Sequence, residues 1–307
     1  MYYIGIDVGG TNLKAGLVDE AGTILRVSRR PLAFQDAEHF SATLAELAEE
    51  VMGSLSLREV HSIGIGIPGA VRGGTVLFTA NIPMRNVPLE ALVRQHLDLP
   101  VYLANDADCA AAAEYLYGSG RGSRDFITVT LGTGVGGGLI LNGHLHTGMC
   151  CAGEVGLMVI DLDGADCSCG SPGCWENYAS ATGLIRLARL ALQKNPQGLL
   201  LGKELDGKTI FSAAEQGDPL ALQVVKTYDR YLAVGLTNLV DILQPEIIAI
   251  GGGVAQAPAH LLLEPVARYV HENCYGRHVN NYPRVVTATM GNDAGIVGAA
   301  LIGTLLS

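Results

Sequence analysis

Basic residues are scarce in this 307-residue chain: 20 Lys and Arg stand against 30 Asp and Glu, a formal net charge of −10. Nucleic acids and anionic membrane surfaces are held through basic patches, so both are set aside as partners. Long apolar runs are missing too. None approaches the ~20 residues that span a bilayer, and the opening MYYIGIDVGG has no basic region leading into an apolar core, so neither anchor nor secretory leader is expected. The expected location is the cytoplasm. In that reducing compartment the seven cysteines are not expected to form a disulfide framework. Three of them, Cys167, Cys169 and Cys174, crowd into CSCGSPGC, a spacing that points to a metal.

Glycine is what the chain has in excess. Its 40 glycines are about 13% of the residues, near twice the usual ~7%, and they are clustered rather than periodic. Turns that hug a ligand have that distribution; collagen and flexible linkers do not. A length of 307 residues exceeds the usual single domain, so two lobes with their own cores and a cleft between them are expected.

Apolar β-branched runs alternate with helical patterns, which indicates an α/β protein. Residues 2–7, 13–18 and 24–31 read as an antiparallel meander with turns at VGGTN and DEAG. Helical spacing covers 37–52, 88–97 and the alanine-rich 107–117, with strands at 62–67 and 101–105. The polar, glycine-rich GSGRGSRD (118–125) marks a boundary. Residues 1–118 are the expected first lobe, joined by a C-terminal helix over 293–307; residues 119–292 are the second and carry the cysteine cluster. After the break the pattern restarts. FITVTLGTGVGGGLILNG (126–143) mirrors YIGIDVGGTNLKAGLVDEAG (3–22) at an offset of 123 residues, as a duplicated lobe would. Downstream, 181–193 and 219–243 read as helices, the second opened by the cap signal GDP. Residues 247–250 read as a buried strand running into GGGV, and Asp293 as the cap of a closing helix.

Three glycine turns carry candidate chemistry. Gly9, Gly10 and Thr11 follow the first strand, and Gly132, Thr133 and Gly134 follow its counterpart. There, N–H groups without side chains in the way approach phosphate oxygens closely, and threonine hydroxyls add donors. Positive φ is expected at these glycines. A third turn runs through Gly251, Gly252 and Gly253. Asp7, just ahead of the first turn, is a hard carboxylate placed for Mg²⁺ or its waters. The run ANDAD puts Asn105 and Asp106 at the end of a strand, where α/β folds place ligands. Asp106 also reads as the cap of the following helix. Glu154 in AGEVG and Glu176 in CWEN flank the cysteines.

Taken in chain order, DVGGTN, GIPGAV, NIPMRNVPL, NDAD, GTGVGGGLILNG, AGEVG, CSCGSPGCWE, IIAIGGGV and GNDAGIVGAA resemble the ROK family of sugar kinases and sugar-responsive repressors. The resemblance covers essentially the whole chain. It implies an actin-like ATPase fold, a duplicated ribonuclease H-like α/β architecture with an interlobe cleft. It implies that Asp7, Gly9, Gly10, Thr11, Gly132, Thr133 and Gly134 meet the phosphates of ATP with Mg²⁺, and that Gly252, Gly253 and Val254 lie near the adenosine. Asn81, Asn105, Asp106, Glu154 and Glu176 would bind sugar hydroxyls, with Asp106 as general base. A homodimer or homotetramer is implied as well. Residue chemistry agrees: phosphoryl transfer to an alcohol needs the hydroxyl held in line, a carboxylate to take its proton, and donors around the phosphate. The expected reaction transfers the γ-phosphate of ATP to the 6-hydroxyl of a hexose. Alternatives are kinases of another hexose, an N-acetylhexosamine such as N-acetylmannosamine, or a glycoside. A sugar-sensing regulator without catalysis is more remote, since the repressor branch carries a DNA-binding segment ahead of the turn that here begins at Asp7.

In zinc-containing members of that family a histidine of E-x-G-H joins the three cysteines of C-x-C-x4-C. Cys167, Cys169 and Cys174 match, but the histidine position holds Leu157. Three thiolates favour Zn²⁺, with water, Asp161, Asp163, Asp166 or His146 as fourth ligand; a reduced, buried cysteine turn is the alternative. Met84 and Arg85 stand where many glucokinases carry Gly-Trp, and GMCCAGE (148–154) is one residue shorter than the usual loop. These departures gather around the expected sugar pocket. They leave the identity of the sugar open and the transfer chemistry intact.

Overall fold

The computed structural model describes residues 1–79 and 81–306. Strands β1 (Tyr2–Val8), β2 (Asn12–Asp19) and β3 (Ile24–Pro31) form the antiparallel meander. Helix α1 (Ala37–Met52) follows, capped by the Asp36 side chain, which accepts from the His39 N–H. Its Phe40, Leu44, Leu47, Ala48 and Val51 recur at helical spacing and share one core with Ile4, Ile6, Ile63 and Ile65, as an amphipathic helix on a sheet requires. The chain then enters β4 (Val60–Ile67), parallel to β1. A small antiparallel sheet of β5 (Gly69–Arg72), β6 (Thr75–Thr79) and β7 (Arg85–Val87) comes next. Helix α2 (Leu89–Arg94) is shorter than the expected 88–97, because past Arg94 the backbone tightens: the His96 N–H donates to Val93 O at 3.0 Å. Strand β8 (Val101–Asn105) lies parallel to β4, and α3 (Asp106–Tyr117) leaves its end.

The second half repeats the scheme. Strands β9 (Phe126–Leu131), β10 (Val135–Leu141) and the short β11 (His144–Leu145) come first. Helices α4 (Glu176–Ala179), α5 (Ala181–Lys194), α6 (Gly207–Glu215) and α7 (Pro219–Leu243) follow. Asp218 caps α7 through the Ala221 N–H, with Pro219 in the first turn, the arrangement that GDP foretold. Strand β12 (Ile247–Gly251) runs parallel to β9, and after α8 (Leu263–Asn273) β13 (Arg284–Thr287) runs parallel to β12. The two five-stranded sheets have orders β3-β2-β1-β4-β8 and β11-β10-β9-β12-β13. Position for position these are one topology, so the offset of 123 residues between Ile4 and Ile127 is a repeat of fold as well as of sequence.

By contacts the chain divides into two compact units: one takes Met1–Arg124, Gly138–Gly153 and the chain from Thr289 onward, the other Asp125–Gly137 and Glu154–Ala288. The closing helix α9 (Ala294–Leu301) belongs to the first unit and lies directly on glycines of its sheet. A Cβ at Gly5 would collide with the Ile296 carbonyl and one at Gly64 with that of Ala299; only glycine permits that approach. Asp293 occupies the N-cap position of α9 but makes no side-chain cap hydrogen bond, so the expected capping role falls away.

Candidate active site

Each unit presents a glycine turn. In the first, the turn between β1 and β2 is closed by the Gly9 N–H donating to Asn12 O at 2.9 Å, and the Asn12 Nδ2 donates to Thr11 Oγ1 at 2.9 Å. The expected positive φ is not used at Gly9 or Gly10. What Gly10 contributes is clearance, since nothing lies within 4 Å of the place a Cβ would take. Asp7, half-buried between Ile6 and Val8 on β1, has its carboxylate 3.5 Å from Lys14 Nζ on β2. Behind it, the Cβ position of Gly295 on α9 is only 2.9 Å from the Asp7 Cγ. The lysine was not singled out in the sequence, although its place seven residues after Asp7 in a hairpin puts the two on one face.

Asp106 stands at the first position of α3. Its expected capping role passes to Asn105, whose Oδ1 accepts from the Ala107 N–H at 2.8 Å while its Nδ2 donates to Gly69 O at 3.2 Å. The Asp106 Oδ1 also accepts from the Ala107 N–H, at 3.0 Å. One side of the residue is open to solvent, and the protein crowds the rest. That desolvation raises its carboxyl above the ordinary value, opposed by the Ala107 N–H and reinforced by the negative Asp7 nearby. A carboxylate raised in this way is a stronger proton acceptor than an ordinary surface aspartate. Asn81 sits exposed on the bend between β6 and β7, which is held by the Thr79 hydroxyl donating to Ile82 O and the Met84 N–H donating to the same carbonyl.

In the second unit, Gly132, Thr133 and Gly134 join β9 to β10. The Gly132 N–H donates to Gly134 O at 3.1 Å, and the Ala181 N–H at the start of α5 donates to Gly132 O at 2.8 Å. Gly132 and Thr133 line a cavity of ≈ 830 Å³ together with Gly253 and Val254. Its far wall is one face of α6: Lys208, Phe211, Ser212 and Glu215. That spacing of three, one and three residues is a single helical stripe, and the sequence reading missed the helix altogether. Gly252 does adopt positive φ, 87°, and a Cβ there would run into the Leu131 backbone.

The cysteine segment lies in the same unit. Val159 bridges Cys174 antiparallel, and the Trp175 N–H donates to Met158 O at 2.7 Å, so the stretch holding Leu157 runs beside the one holding Glu176. The Sγ atoms of Cys167, Cys169 and Cys174 all lie within 4.8 Å of one another, with Cys169 and Cys174 at 3.4 Å. Zinc–sulfur bonds of ~2.3 Å in a tetrahedron separate sulfurs by about 3.8 Å, so the three thiols fit three corners of a zinc site. Among the described residues no carboxylate or histidine lies within 4.8 Å of all three; Asp161 instead accepts from the Tyr178 hydroxyl at 3.3 Å. Burial pushes Cys174 up to about 12, while the Ser171 N–H holds Cys169 below the ordinary thiol value. Glu176 faces both features: its Oε1 accepts from Cys167 Sγ at 3.2 Å, and its Oε2 is 2.7 Å from the Cβ position of Gly134. Glu154 is exposed at the head of the turn Val155–Leu157.

Among the described residues no helix is long and apolar enough to cross a membrane. The sequence model of the ROK family matches residues 3–304. A glucokinase of Streptomyces coelicolor is 37% identical over 308 residues, 97% of this chain and 96% of its own length. The crystal structure of a ROK family glucokinase from Streptomyces griseus in complex with glucose and AMPPNP is similar with a TM-score of 0.81 at 36% identity, covering 98% of this chain and 99% of that one. The xylose repressor of Bacillus subtilis is 29% identical over 305 residues, 98% of this chain and 76% of its own length.

Proposed function

The chain belongs to the ROK family, and on that premise we propose that it is an ATP-dependent hexose kinase of the glucokinase type. The γ-phosphate of ATP passes to the 6-hydroxyl of the sugar. The observation that carries this reading is Asp106, a desolvated carboxylate at the head of α3 with Asp7 beside it. The 6-hydroxyl oxygen attacks the γ-phosphorus, its proton moves to the Asp106 carboxylate, and the bond to the bridging oxygen of ADP breaks. Asn105 keeps the Asp106 backbone in place by capping the helix. The turn 9–11 and the turn 132–134 offer N–H and hydroxyl donors to the phosphates, and the cavity walled by α6 receives the adenosine. When bound with ATP, Mg²⁺ neutralises phosphate charge, and Asp7 is the residue to hold it or its waters.

Asn81, Asn105, Glu154 and Glu176 are assigned to sugar hydroxyls. Cys167, Cys169 and Cys174 are assigned a structural Zn²⁺ that pins the segment between Glu154 and Glu176. Leu157, 39% exposed, puts apolar surface where zinc-containing relatives carry a histidine. An acetyl group suits such a surface, so N-acetylhexosamines are the second acceptor class. Assembly as a homodimer or homotetramer in the cytoplasm completes the reading. The decisive experiment measures ADP release across hexoses, N-acetylhexosamines and glycosides. Turnover with a hexose or N-acetylhexosamine that disappears in Asp106→Asn supports the assignment, and absence of turnover across the whole panel removes it.

A further inference from the structure

Two turns beyond Asp106, α3 carries another acid with no place in the scheme above. Glu114 is 2% exposed. Its Oε2 accepts from the Ser119 N–H at 2.9 Å, the Ser119 hydroxyl at 2.8 Å and the Thr289 hydroxyl at 3.3 Å, and its Oε1 accepts from the Met290 N–H at 2.6 Å. Four donors converge on one carboxylate. None of them is a cation, so the contact is a clamp of hydrogen bonds rather than an ion pair, and hydrogen bonds to a charged acceptor are the stronger kind.

What the clamp holds is the entry to α9. Thr289 and Met290 are followed by the single turn Gly291–Asp293 and then by α9 itself. The second residue of α9, Gly295, is the one whose Cβ position lies 2.9 Å from the Asp7 Cγ. Further along, a Cβ at Gly298 would collide with the Cys109 carbonyl on α3, so the two helices touch backbone to backbone. Helix α3 therefore carries Asp106 at its head, Glu114 in its last turns, and α9 along its side. Helix α9 in turn backs Asp7. A displacement at Met290 propagates to Gly295 through five residues that are turn and helix throughout, and interiors packed this closely transmit strain.

We propose that Glu114 is a positioning residue for phosphoryl transfer: by fixing the entry of α9 to α3 it holds Asp7 in register with Asp106. The proposal rests on the kinase reading for its catalytic consequence but not for its structural one. A glutamine in place of Glu114 keeps the shape and turns an N–H₂ toward donors, so at least one buried N–H or hydroxyl loses its acceptor. The entry of α9 then shifts, and with it Gly295 and Asp7.

The test uses the full chain as Glu114→Gln and, at the other end of the relay, Gly295→Ala, whose methyl presses on the Asp7 carboxylate. Calorimetry reads the affinity for Mg²⁺ with a non-hydrolysable ATP analogue, and steady-state kinetics read kcat and the two KM values. In both variants nucleotide affinity is expected to fall about tenfold and kcat to fall with it, while the hexose KM stays within about twofold, because a misplacement of ~1 Å at a catalytic group costs up to ~10²-fold. A Glu114→Gln protein that melts earlier yet keeps wild-type nucleotide affinity and kcat overturns the proposal, leaving a merely structural clamp. Equal rises in both KM values also overturn it, since they report general loosening. Should Glu114→Gln fail to fold, Thr289→Val and Gly295→Ala decide: unchanged nucleotide affinity in both sinks the relay. A wild-type protein that binds nucleotide but phosphorylates no sugar refutes the kinase reading alone, and the calorimetric comparison still stands.

Discussion

The turns of the two sheets share a scaffold and differ in what surrounds them. Both join the first two strands of a five-stranded sheet of one topology. The offset of 123 residues puts Thr130 where Asp7 stands and Gly137 where Lys14 stands, so the ion pair on the first turn has no counterpart on the second. Conversely, Gly10 borders open space, whereas Gly134 lies against the Glu176 carboxylate and, through it, the cysteine cluster. Duplication supplies two backbone cradles of the same make. Divergence of the flanking residues then leaves the Asp7–Lys14 ion pair beside the first and the Glu176–Cys167 contact beside the second.

The sharpest way to break the comparison is Asp106→Asn. If the chemistry resides in the first unit, kcat falls ~10²–10⁴-fold, because an amide of the same shape accepts no proton, while nucleotide affinity and melting temperature stay close to wild type. ADP release and calorimetry on the same preparation check both halves. Near-wild-type kcat removes Asp106 as the base. The two glycine turns are separated next by Gly10→Val and Gly134→Val. Both are expected to weaken ATP binding at least tenfold by filling space the phosphates use. Only Gly134→Val should also melt earlier, through a stability loss of ~1–3 kcal/mol from overpacking against Glu176. Equal melting temperatures for the two variants, or unchanged nucleotide affinity in either, dissolve the distinction.

Much of this arrangement is legible in the residues themselves. The meander, the helix over 37–52 and the repeat at residue 126 show because β-branched alternation and helical spacing are local signals. The spacing of Cys167, Cys169 and Cys174 announces a thiol nest for the same reason. What the sequence hides is non-local or short. Helix α6 has only nine residues and opens on Gly207, so its pattern is too brief to stand out, yet it walls the cavity of ≈ 830 Å³. The small β5-β6-β7 sheet falls in a stretch with no clear alternation. Glu176 meets Cys167 and Gly134 only where residues 158–160 run beside 173–175. Positive φ at the turns 9–11 and 132–134 was the wrong expectation: Gly10 and Gly132 border open space instead, and positive φ is used at Gly252.

Acids raised by desolvation extend the comparison between the units. Asp106 in the first is raised by desolvation with a charged neighbour; Asp229 on α7 in the second is pushed to about 8 by burial alone, and its Oδ1 has no hydrogen-bond partner among the described residues. A raised aspartate keeps its proton in the folded state while the unfolded chain, with its ordinary value of 3.8, has released it. The folded state therefore holds more protons across that window, and stability falls as pH rises from about 4 toward 8. Asp229→Asn removes that slope. The variant is expected to gain on wild type progressively over the window, by up to ~1.4 kcal/mol for each pH unit. Parallel melting curves at every pH, with no change in the gap, refute the assignment.

The smallest expected effect concerns Leu157. Three thiols lie within 4.8 Å of one another, and the stretch that follows Leu157 runs antiparallel beside Cys174 through the Val159 bridge. Structural zinc is held tightly enough that protein purified without chelator is expected to carry close to one equivalent; less than about a tenth removes the metal from the site. With a fourth position left to water, that zinc should be lost to chelator faster than from a site closed by protein on all four corners. Leu157→His adds an imidazole at the end of the turn Val155–Leu157, two residues before the Val159 bridge. It is expected to slow chelator-driven zinc release several-fold, since outer and added ligands commonly change metal retention by ~10-fold or more. The same change replaces apolar surface with a donor and acceptor, so the preference among sugars should move toward glucose by about 1 kcal/mol, the worth of one ordinary hydrogen bond. Release rates measured with a zinc-responsive dye and kcat/KM for paired sugars separate the two effects. An unchanged release rate means the imidazole does not reach the cluster, and an unchanged sugar profile means Leu157 does not face the acceptor.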